Sequence, residues 1–425
     1  FGGSSLESAE AVDRVAHIIG LQEHSEIVVV VSAMGKTTDR LLAIADAAVG
    51  GSAAEALRLS DELRDYLVGE AKQLAPADSL DELEDFLGSH FRELAELVDG
   101  LAGLGELTPR SIDAISSYGE RMTSFVITQA LRRRGFDAVH LDTRRVVVTN
   151  DRHTQAAPIL ALTNERLRAT IPPLVAEGKL VVMGGFIGST EDGVTSTLGR
   201  GGSDTSAVAV ACALGADFCE IYTDVEGVFT ADPRWVPSAR KLAAISYEEM
   251  LEMASLGAKV LQTRSIQFAM RHNLPIHVRS SFSSAEGTWV TREEDVMEKL
   301  VVSGVTYNLD EAKIRVKGVV DQPGIAGRIF SPLSDAKIVV DVIIQNQSSD
   351  GSTDMTFTVP RLDHARALEI TRETAERIGA EAVEGEAEIA KVSIIGLGMR
   401  DHAGVATKMF NVLAEKGINI QLINT

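Results

Sequence analysis

Val28-Val29-Val30-Val31 is a short β-branched run closed by Ser32, and a run of that length and type predicts a buried parallel strand. Similar runs predict strands at Val146–Thr149, Leu180–Met183, Glu220–Thr223 and Ile276–Arg279. Helical patterns separate them, among them Asp113–Arg134 and Thr205–Leu214. Strand alternating with helix predicts an α/β layer fold with a mostly parallel sheet. Residues 53–103 interrupt this rhythm. There Leu83, Leu87, Phe91, Leu94, Val98 and Leu101 recur at spacings of three and four, with Glu and Asp on the other faces, as in an amphipathic helix. The stretch reads as helices added to the core fold, first of all a solvated excursion, with a lid or a dimer surface as the other readings.

The last third contains an internal repeat. Ala312-Lys313-Ile314 matches Ala390-Lys391-Val392, and Gly318 matches Gly396. Pro323-Gly324-Ile325-Ala326 matches Ala403-Gly404-Val405-Ala406, Phe330 matches Phe410, and Ile338-Val339-Val340 matches Ile418-Asn419-Ile420. Each copy reads strand, turn, helix, strand. Such a unit cannot bury its own sheet face, so the copies are expected to pack on each other or on a second chain. The first copy continues through Thr353–Val359 and a helix at His364–Ile378, whereas the second stops at Thr425. Phe1 is not an initiator Met, so the sequence is expected to be cut short at both ends.

A length of 425 residues suits two to three domains. The formal net charge of −20 argues against nucleic acid or anionic lipid as a partner, but leaves room for a locally basic site. The two cysteines, Cys212 and Cys219, have neither metal-ligand nor disulfide spacing, which points to a reducing, cytoplasmic setting. No apolar run reaches the roughly 18 residues of a membrane helix, and no His/Cys cluster suggests a metal site.

Candidate chemistry lies in glycine-rich segments. Phe1-Gly2-Gly3-Ser4-Ser5 precedes a helix pattern starting near Glu7, so it is either a phosphate loop or an ordinary turn. Gly35-Lys36-Thr37 invites a P-loop reading, but that pattern needs a glycine where Val30 stands. The loop still falls at the C-terminal edge of a parallel strand, where open α/β folds bind ligands. Leu198-Gly199-Arg200-Gly201-Gly202-Ser203-Asp204-Thr205 is the sharpest motif. Its Arg can fork onto a carboxylate or phosphate, and Asp204 is either functional or a helix N-cap. The loop from Tyr222-Thr223-Asp224 to Asp232-Pro233-Arg234 suits nucleotide contact or a plain turn. Glu120 lies in a helix among apolar neighbours, either solvated or facing an ammonium group.

Taken together these segments resemble the aspartate kinase family. Phe-Gly-Gly-Ser-Ser is similar to one family signature, Leu-Gly-Arg-Gly-Gly-Ser-Asp-Thr-Ser to a second, and Glu220–Val225 with Asp232-Pro233-Arg234 to its nucleotide loop. The tail repeat resembles paired ACT domains, which sense amino acids. The resemblance runs the whole chain. It implies a three-layer amino acid kinase fold over 1–302, with 53–103 as an added helical region. Tandem α+β, ferredoxin-like ACT domains would follow at 303–385 and 386–425. It implies ATP, with Mg²⁺ carried on it, and L-aspartate as substrates.

By the same resemblance Gly2, Gly3 and Ser4 would line the phosphates, and Thr223, Asp224, Phe229, Arg234 and Lys259 would hold ATP. Phe229 replaces the family's usual Tyr, which removes a hydroxyl. Arg200 would clamp a carboxylate of aspartate, Glu120 its ammonium, and Thr38 and Ser203 would complete the substrate site. Asp204 would organise the catalytic Lys, which the family places directly before Phe1. Gln262-Thr263-Arg264 departs from the His-Pro-Arg of some relatives. Asp321, Gly324, Ile325, Ala326, Gln345 and Asn346 resemble effector loops for lysine or threonine, and the ACT pair implies a homodimer or larger assembly. Rival readings are a kinase for glutamate, acetylglutamate or a nucleotide, a non-catalytic amino-acid sensor, and a longer chain with a dehydrogenase after the ACT pair.

Overall fold

The computed structural model describes residues 1–22, 26–296, 300–347, 352–402 and 404–425. The chain divides into two compact units, Phe1–Ser255 with Lys259–Lys299, and Leu256–Ala258 with Leu300–Thr425.

In the first unit the valine run forms the strand Val28–Val31. It pairs in parallel with Leu180–Gly184, which pairs in parallel with Ala138–Leu141. A second group runs Cys219–Thr223, Ile276–Ser280, Thr288–Thr291, Ala244–Ser246, with parallel pairing except between the middle two. The backbone of Phe1 and Gly2 bridges the two groups. The Phe1 nitrogen donates to Val30 O at 2.9 Å, Ser32 N donates to Phe1 O at 3.1 Å, and Gly2 N donates to Tyr222 O at 3.2 Å. The Phe1 ring stacks on Tyr222 with centroids 4.7 Å apart.

The period-two alternation of strands builds the layers. Val29, Val31, Leu180 and Val182 face one core, formed with helices Ala9–Gly20, Thr37–Val49 and Pro109–Arg133. Val28, Val30, Val181 and Met183 face the other, with Leu167 and Ile171 of Leu160–Ala176 and Val210 and Ala213 of Gly202–Leu214. The expected three-layer α/β/α arrangement results. The strand expected at Val146–Thr149 is confined to Val148–Thr149, because Thr143–Arg145 winds into a 3-10 turn just before it. Val148–Thr149 pairs instead with a side sheet containing Ile187–Thr190 and Thr195–Thr197.

Residues 53–103 correct the solvated reading. They form two helices, Ala53–Leu74 and Leu80–Leu104. Leu63, Leu83, Leu87 and Leu94 are fully buried in the same core as Phe125 and Val126. The apolar stripe that identified the helix is also what buries it, while the acidic residues stay in water.

The second unit carries an antiparallel sheet in the order Ile343–Gln347, Ser352–Val359, Gly304–Val320, Ala382–Ile395. In chain order that is second, third, first, fourth, the ferredoxin-like arrangement expected. Helices Ile325–Asp335 and His364–Ile378 contribute Ile325, Ile329, Leu333, Ala367 and Ala375 to its core. Ala382–Ile395 runs unbroken across the expected 385/386 boundary and begins the second copy. Ile338–Val340 and Ile418–Ile420 are not strands here. After Lys337, at φ +60°, Ile338 turns into the core and Val339 into solvent, so the pairing strand starts only at Ile343. The second copy's helix Val405–Glu415 buries none of its side chains, and 418–420 stay out of the sheet, although Gln421 just after them donates to Glu386 at 2.8 Å. Ala403, part of the repeat match, lies outside the described residues.

Because Leu87 is fully buried, Leu87→Ala is expected to destabilise the first unit by about 2–5 kcal/mol through lost burial and a cavity. Urea unfolding checks this, and a change within about 0.5 kcal/mol would restore the solvated reading.

Candidate active site

The floor of the site is the turn after the bridging residues. Gly3–Leu6 is a 3-10 turn packed on the loop that leaves Val28–Val31. Gly35 N donates to Gly3 O at 3.0 Å, and a Cβ at Gly3 would lie 2.8 Å from Ala33 O. Only glycine fits there. The N–H of Gly2 is already bonded to Tyr222, so Gly2 fixes the loop rather than offering an amide. The first amides of a helical turn have no partner within it, which leaves those of Gly3 and of the exposed Ser4 to meet a ligand.

Glu120 lies on the long helix Pro109–Arg133, which starts where Thr108 Oγ1 accepts from Ser111 N at 3.1 Å. The solvated reading of Glu120 fails, since only 2% of the residue is exposed. Its Oε1 accepts from Ala33 N at 3.2 Å, and its Oε2 is buried with no partner among the described residues. Burial pushes its pKa up to about 8. Gly119 lets the helix approach closely: a Cβ there would lie 2.8 Å from Ala33 Cβ and 3.5 Å from Thr38 Oγ1. Thr38, half-buried in the first turn of Thr37–Val49, therefore stands next to Glu120. From the other side a Cβ at Gly184 would be 3.0 Å from Glu120 Cβ.

The Leu198–Asp204 segment closes on these strand ends. A Cβ at Gly185 would lie 2.7 Å from Ser203 Cα, which places Ser203 directly after Leu180–Gly184. Gly201 has φ +64°, and a Cβ on it would lie 1.7 Å from Gln262 Cγ. Arg264 donates to Leu198 O at 2.5 Å and to Ala156 O at 3.3 Å. Gln262-Thr263-Arg264, the departure from the relatives' pattern, thus buttresses the glycine loop. Asp204 is not the N-cap. Gly201 occupies that position without a side-chain cap bond, and Asp204 sits in the first turn of the helix. Burial pushes the Asp204 carboxyl up to about 6, against the backbone N–H of Gln262. Arg200 is exposed and makes no hydrogen bond or ion pair among the described residues.

Thr223 ends Cys219–Thr223, and its hydroxyl donates to Asp224 Oδ1 at 3.1 Å. Ser281 N donates to Thr223 O at 3.0 Å, and the Ser281 and Ser5 hydroxyls lie 2.7 Å apart. This relay ties the strand end at Thr223 to the glycine turn. Phe229 forms an isolated bridge with Lys241. Arg234, exposed, holds Asp232 through Nη2 at 2.7 Å and Nε at 3.0 Å, and Lys259 is exposed. Among the described residues, no hydrogen bond or ion pair joins Phe229 or Lys259 to the glycine loops.

Sequence reasoning missed the Ser5–Ser281 relay, the close-packed Gly184-Gly185 and the buried Asp113. Asp113 accepts from Thr154 N at 2.9 Å and pairs with His153 Nδ1 at 2.7 Å, and it also takes a bond from Thr197. It thereby fixes the loop that abuts Gly199. An Asp among apolar neighbours on the helix pattern was its only sequence signal.

In the second unit, taken by itself, Asp321, Gly324, Ile325, Ala326 and Gln345 line a shallow cavity together with Gln322 and Pro323. Asn346, next along the same strand, does not line it.

Comparison with known proteins agrees with this geometry. Residues 1–280 match the amino acid kinase family, and 314–374 with 392–425 match the ACT domain. The chain is 42% identical over 430 residues to an aspartate kinase of Pseudomonas putida, covering 100% of this chain and 90% of that one. It is 40% identical over 433 residues to an aspartokinase of Mycolicibacterium smegmatis, covering 100% and 89%. Its structure resembles E. coli aspartokinase III in complex with aspartate and ADP, with a TM-score of 0.83 and 30% identity, covering 100% and 92%. The same enzyme in complex with lysine and aspartate gives a TM-score of 0.81 at 29% identity, with the same coverage. On these matches and this geometry, the chain belongs to the amino acid kinase family, among its aspartate kinases with C-terminal ACT domains.

Proposed function

We propose that this site transfers the γ-phosphate of ATP to the β-carboxylate of L-aspartate, with Glu120 holding the substrate ammonium. One observation carries the reading. Glu120 is a buried carboxyl with one oxygen fixed by Ala33 and the other without a partner, set between the glycine turn and the Ser203–Asp204 helix start. A buried polar atom of that kind calls for a charged donor. E. coli aspartokinase III, a structural relative, is described in complex with aspartate and ADP, which supports aspartate and an adenine nucleotide as the ligands.

The chemistry needs no general base. The aspartate carboxylate is ionised at neutral pH, since a free Asp side chain has a pKa of about 3.9. Catalysis is then alignment of carboxylate and γ-phosphate and neutralisation of charge on the transferring group. Gly3 and Ser4 supply amides for the phosphates, Thr223 and Asp224 the nucleotide edge, and Phe229, Arg234 and Lys259 its outer contacts. Mg²⁺ enters on the nucleotide's phosphates. Thr38, Ser203 and Arg200 hold the aspartate. Asp204 is proposed to organise the catalytic Lys that the resemblance puts directly before Phe1. The product is an acyl phosphate, so the site must exclude water during transfer.

The ACT copies are proposed to pair with those of a second chain, because the second copy's helix leaves its apolar residues only partly buried. The cavity lined by Asp321 and Gln345 is proposed to take lysine or threonine and shift the kinase between two states. Aspartokinase III is also described with lysine bound.

Arg200→Ala is expected to raise KM for aspartate far more than for ATP, and Asp204→Ala to lower kcat at least about 100-fold, the scale of a lost electrostatic contact. Steady-state kinetics on both substrates reads both effects. Equal losses on the two substrates would remove Arg200 from the clamp, and near-normal turnover would remove Asp204 from the site.

The Glu120 shift sets a pH dependence with a definite sign. With a pKa near 8 the free enzyme holds Glu120 protonated below that pH, and the ammonium needs the carboxylate. So log(kcat/KM) for aspartate is expected to climb with pH up to about 8 and then level, and Glu120→Gln should flatten the climb while raising KM. A wild-type profile flat between pH 6 and 8 would contradict this role.

Titration of lysine and threonine should show inhibition by at least one of them at millimolar concentration. Gln345→Ala is expected to raise the half-inhibitory concentration at least about fivefold, a typical coupling magnitude. An unchanged value would place the effector elsewhere.

A further inference from the structure

A cavity of about 260 Å³ lies between the helices Leu80–Leu104 and Pro109–Arg133 and the turn after Ala138–Leu141, and the kinase reaction makes no use of it. Its lining is basic, with Arg121, Arg144, Arg145, His90 and His140, and Ser124 adds a hydroxyl. Two carboxylates answer these charges. Arg144 grips Asp142 through Nη2 at 2.7 Å and Nε at 3.0 Å, and Arg121 meets Glu93 at 3.1 Å. Arg145 has no ion-pair partner among the described residues. Arg121 Nε is buried with no acceptor, a cost that folded proteins rarely leave standing. One guanidinium is thus unanswered and one buried donor unfilled, inside a chain with a net charge of −20.

We infer that this cavity is a second binding site, for a small ligand bearing a phosphate group. Guanidinium forks and ring N–H groups are phosphate-recognition chemistry. The two imidazoles fit the second negative charge of a phosphate better than the single charge of a carboxylate. Burial keeps His140 neutral, with its pKa down to about 4, and lowers that of His90 too. A dianion beside them favours a protonated ring. The volume falls below the range usual for drug-sized ligands, so a small phosphorylated metabolite or free phosphate fits and a nucleotide does not.

The cavity walls also hold the substrate side. Ser124 Oγ donates to Glu120 O at 2.8 Å and lies 3.0 Å from His140 Nε2. Thr143 Oγ1 donates to Gly184 O at 2.6 Å, and Gly184 packs on Glu120. Occupancy is therefore expected to change KM for aspartate. That coupling rests on the role proposed for Glu120, whereas binding itself does not.

The test is calorimetric titration of inorganic phosphate into enzyme saturated with ADP and L-aspartate, repeated with succinate and with Arg145→Gln and His140→Gln. Saturable binding of phosphate is expected, weakened at least about tenfold by Arg145→Gln, the effect of losing a charge-assisted hydrogen bond. The His140 ring resonances should move toward the protonated position on saturation. Because Arg145 is exposed, its variant is expected to melt like the parent, and a matching melting curve separates lost binding from lost fold. No saturable phosphate binding, binding untouched by Arg145→Gln, or succinate bound as tightly as phosphate would each overturn the site. Binding as expected, with an unchanged KM for aspartate, would overturn the coupling alone and leave the site.

Discussion

The backbone of Phe1 and Gly2, inserted between two groups of parallel strands, is the constraint on which the kinase unit depends. Three hydrogen bonds and a ring stack on Tyr222 join Val28–Val31 to Cys219–Thr223 there. The join puts the glycine turn, the loop after Ser32 and the Thr223 strand end on one edge of a continuous surface. That edge collects amides and polar side chains because parallel strands all end there together. Without the bridge the groups proposed for aspartate and those proposed for ATP would belong to separate sheets.

Close packing of glycines turns that edge into a site. Gly3, Gly119, Gly184, Gly185 and Gly201 each stand where a Cβ would meet a neighbour at 3.0 Å or less. They bring helix Pro109–Arg133, the Ser203 helix start and the turn at Gly3 against one another. The result is a small volume in which Glu120 and Asp204 both lose water, and both carboxyls rise. A charged substrate would restore what burial removes, so the affinity proposed for an ammonium and the raised pKa of Glu120 have one cause. The helices of 53–104 support this indirectly. Their buried leucines hold the long helix in place from the far side, and Phe86 stacks on Phe125 with centroids 3.8 Å apart.

The second unit shows the same economy with a different sheet. A four-stranded antiparallel sheet covered by two helices buries the first ACT copy, and its last strand carries the start of the second. The second copy contributes a helix whose apolar residues Val405, Met409, Phe410 and Leu413 are only partly buried, which is the physical basis for proposing a paired assembly.

The sequence by itself determined the layer order, the strands with continuous apolar runs and the ferredoxin-like tail. Apolar periodicity reports burial directly, as at Val28–Val31 and along the Leu83–Leu101 stripe. The sequence also singled out the Gly199–Asp204 segment, because three glycines around an Arg are not explained by a helix cap, whereas the roles of Gly2 and Gly3 came only with the family resemblance. Only the tertiary structure decided the rest. Whether 53–103 is solvated or buried depends on what faces its stripe, and whether Asp204 caps a helix depends on where Gly201 places the first turn. That Glu120 reaches Ala33 and leaves its other oxygen unpartnered, that Gln262 fills the space over Gly201, and that Ser5 reaches Ser281 are pairings between residues far apart in the chain, which no local pattern encodes.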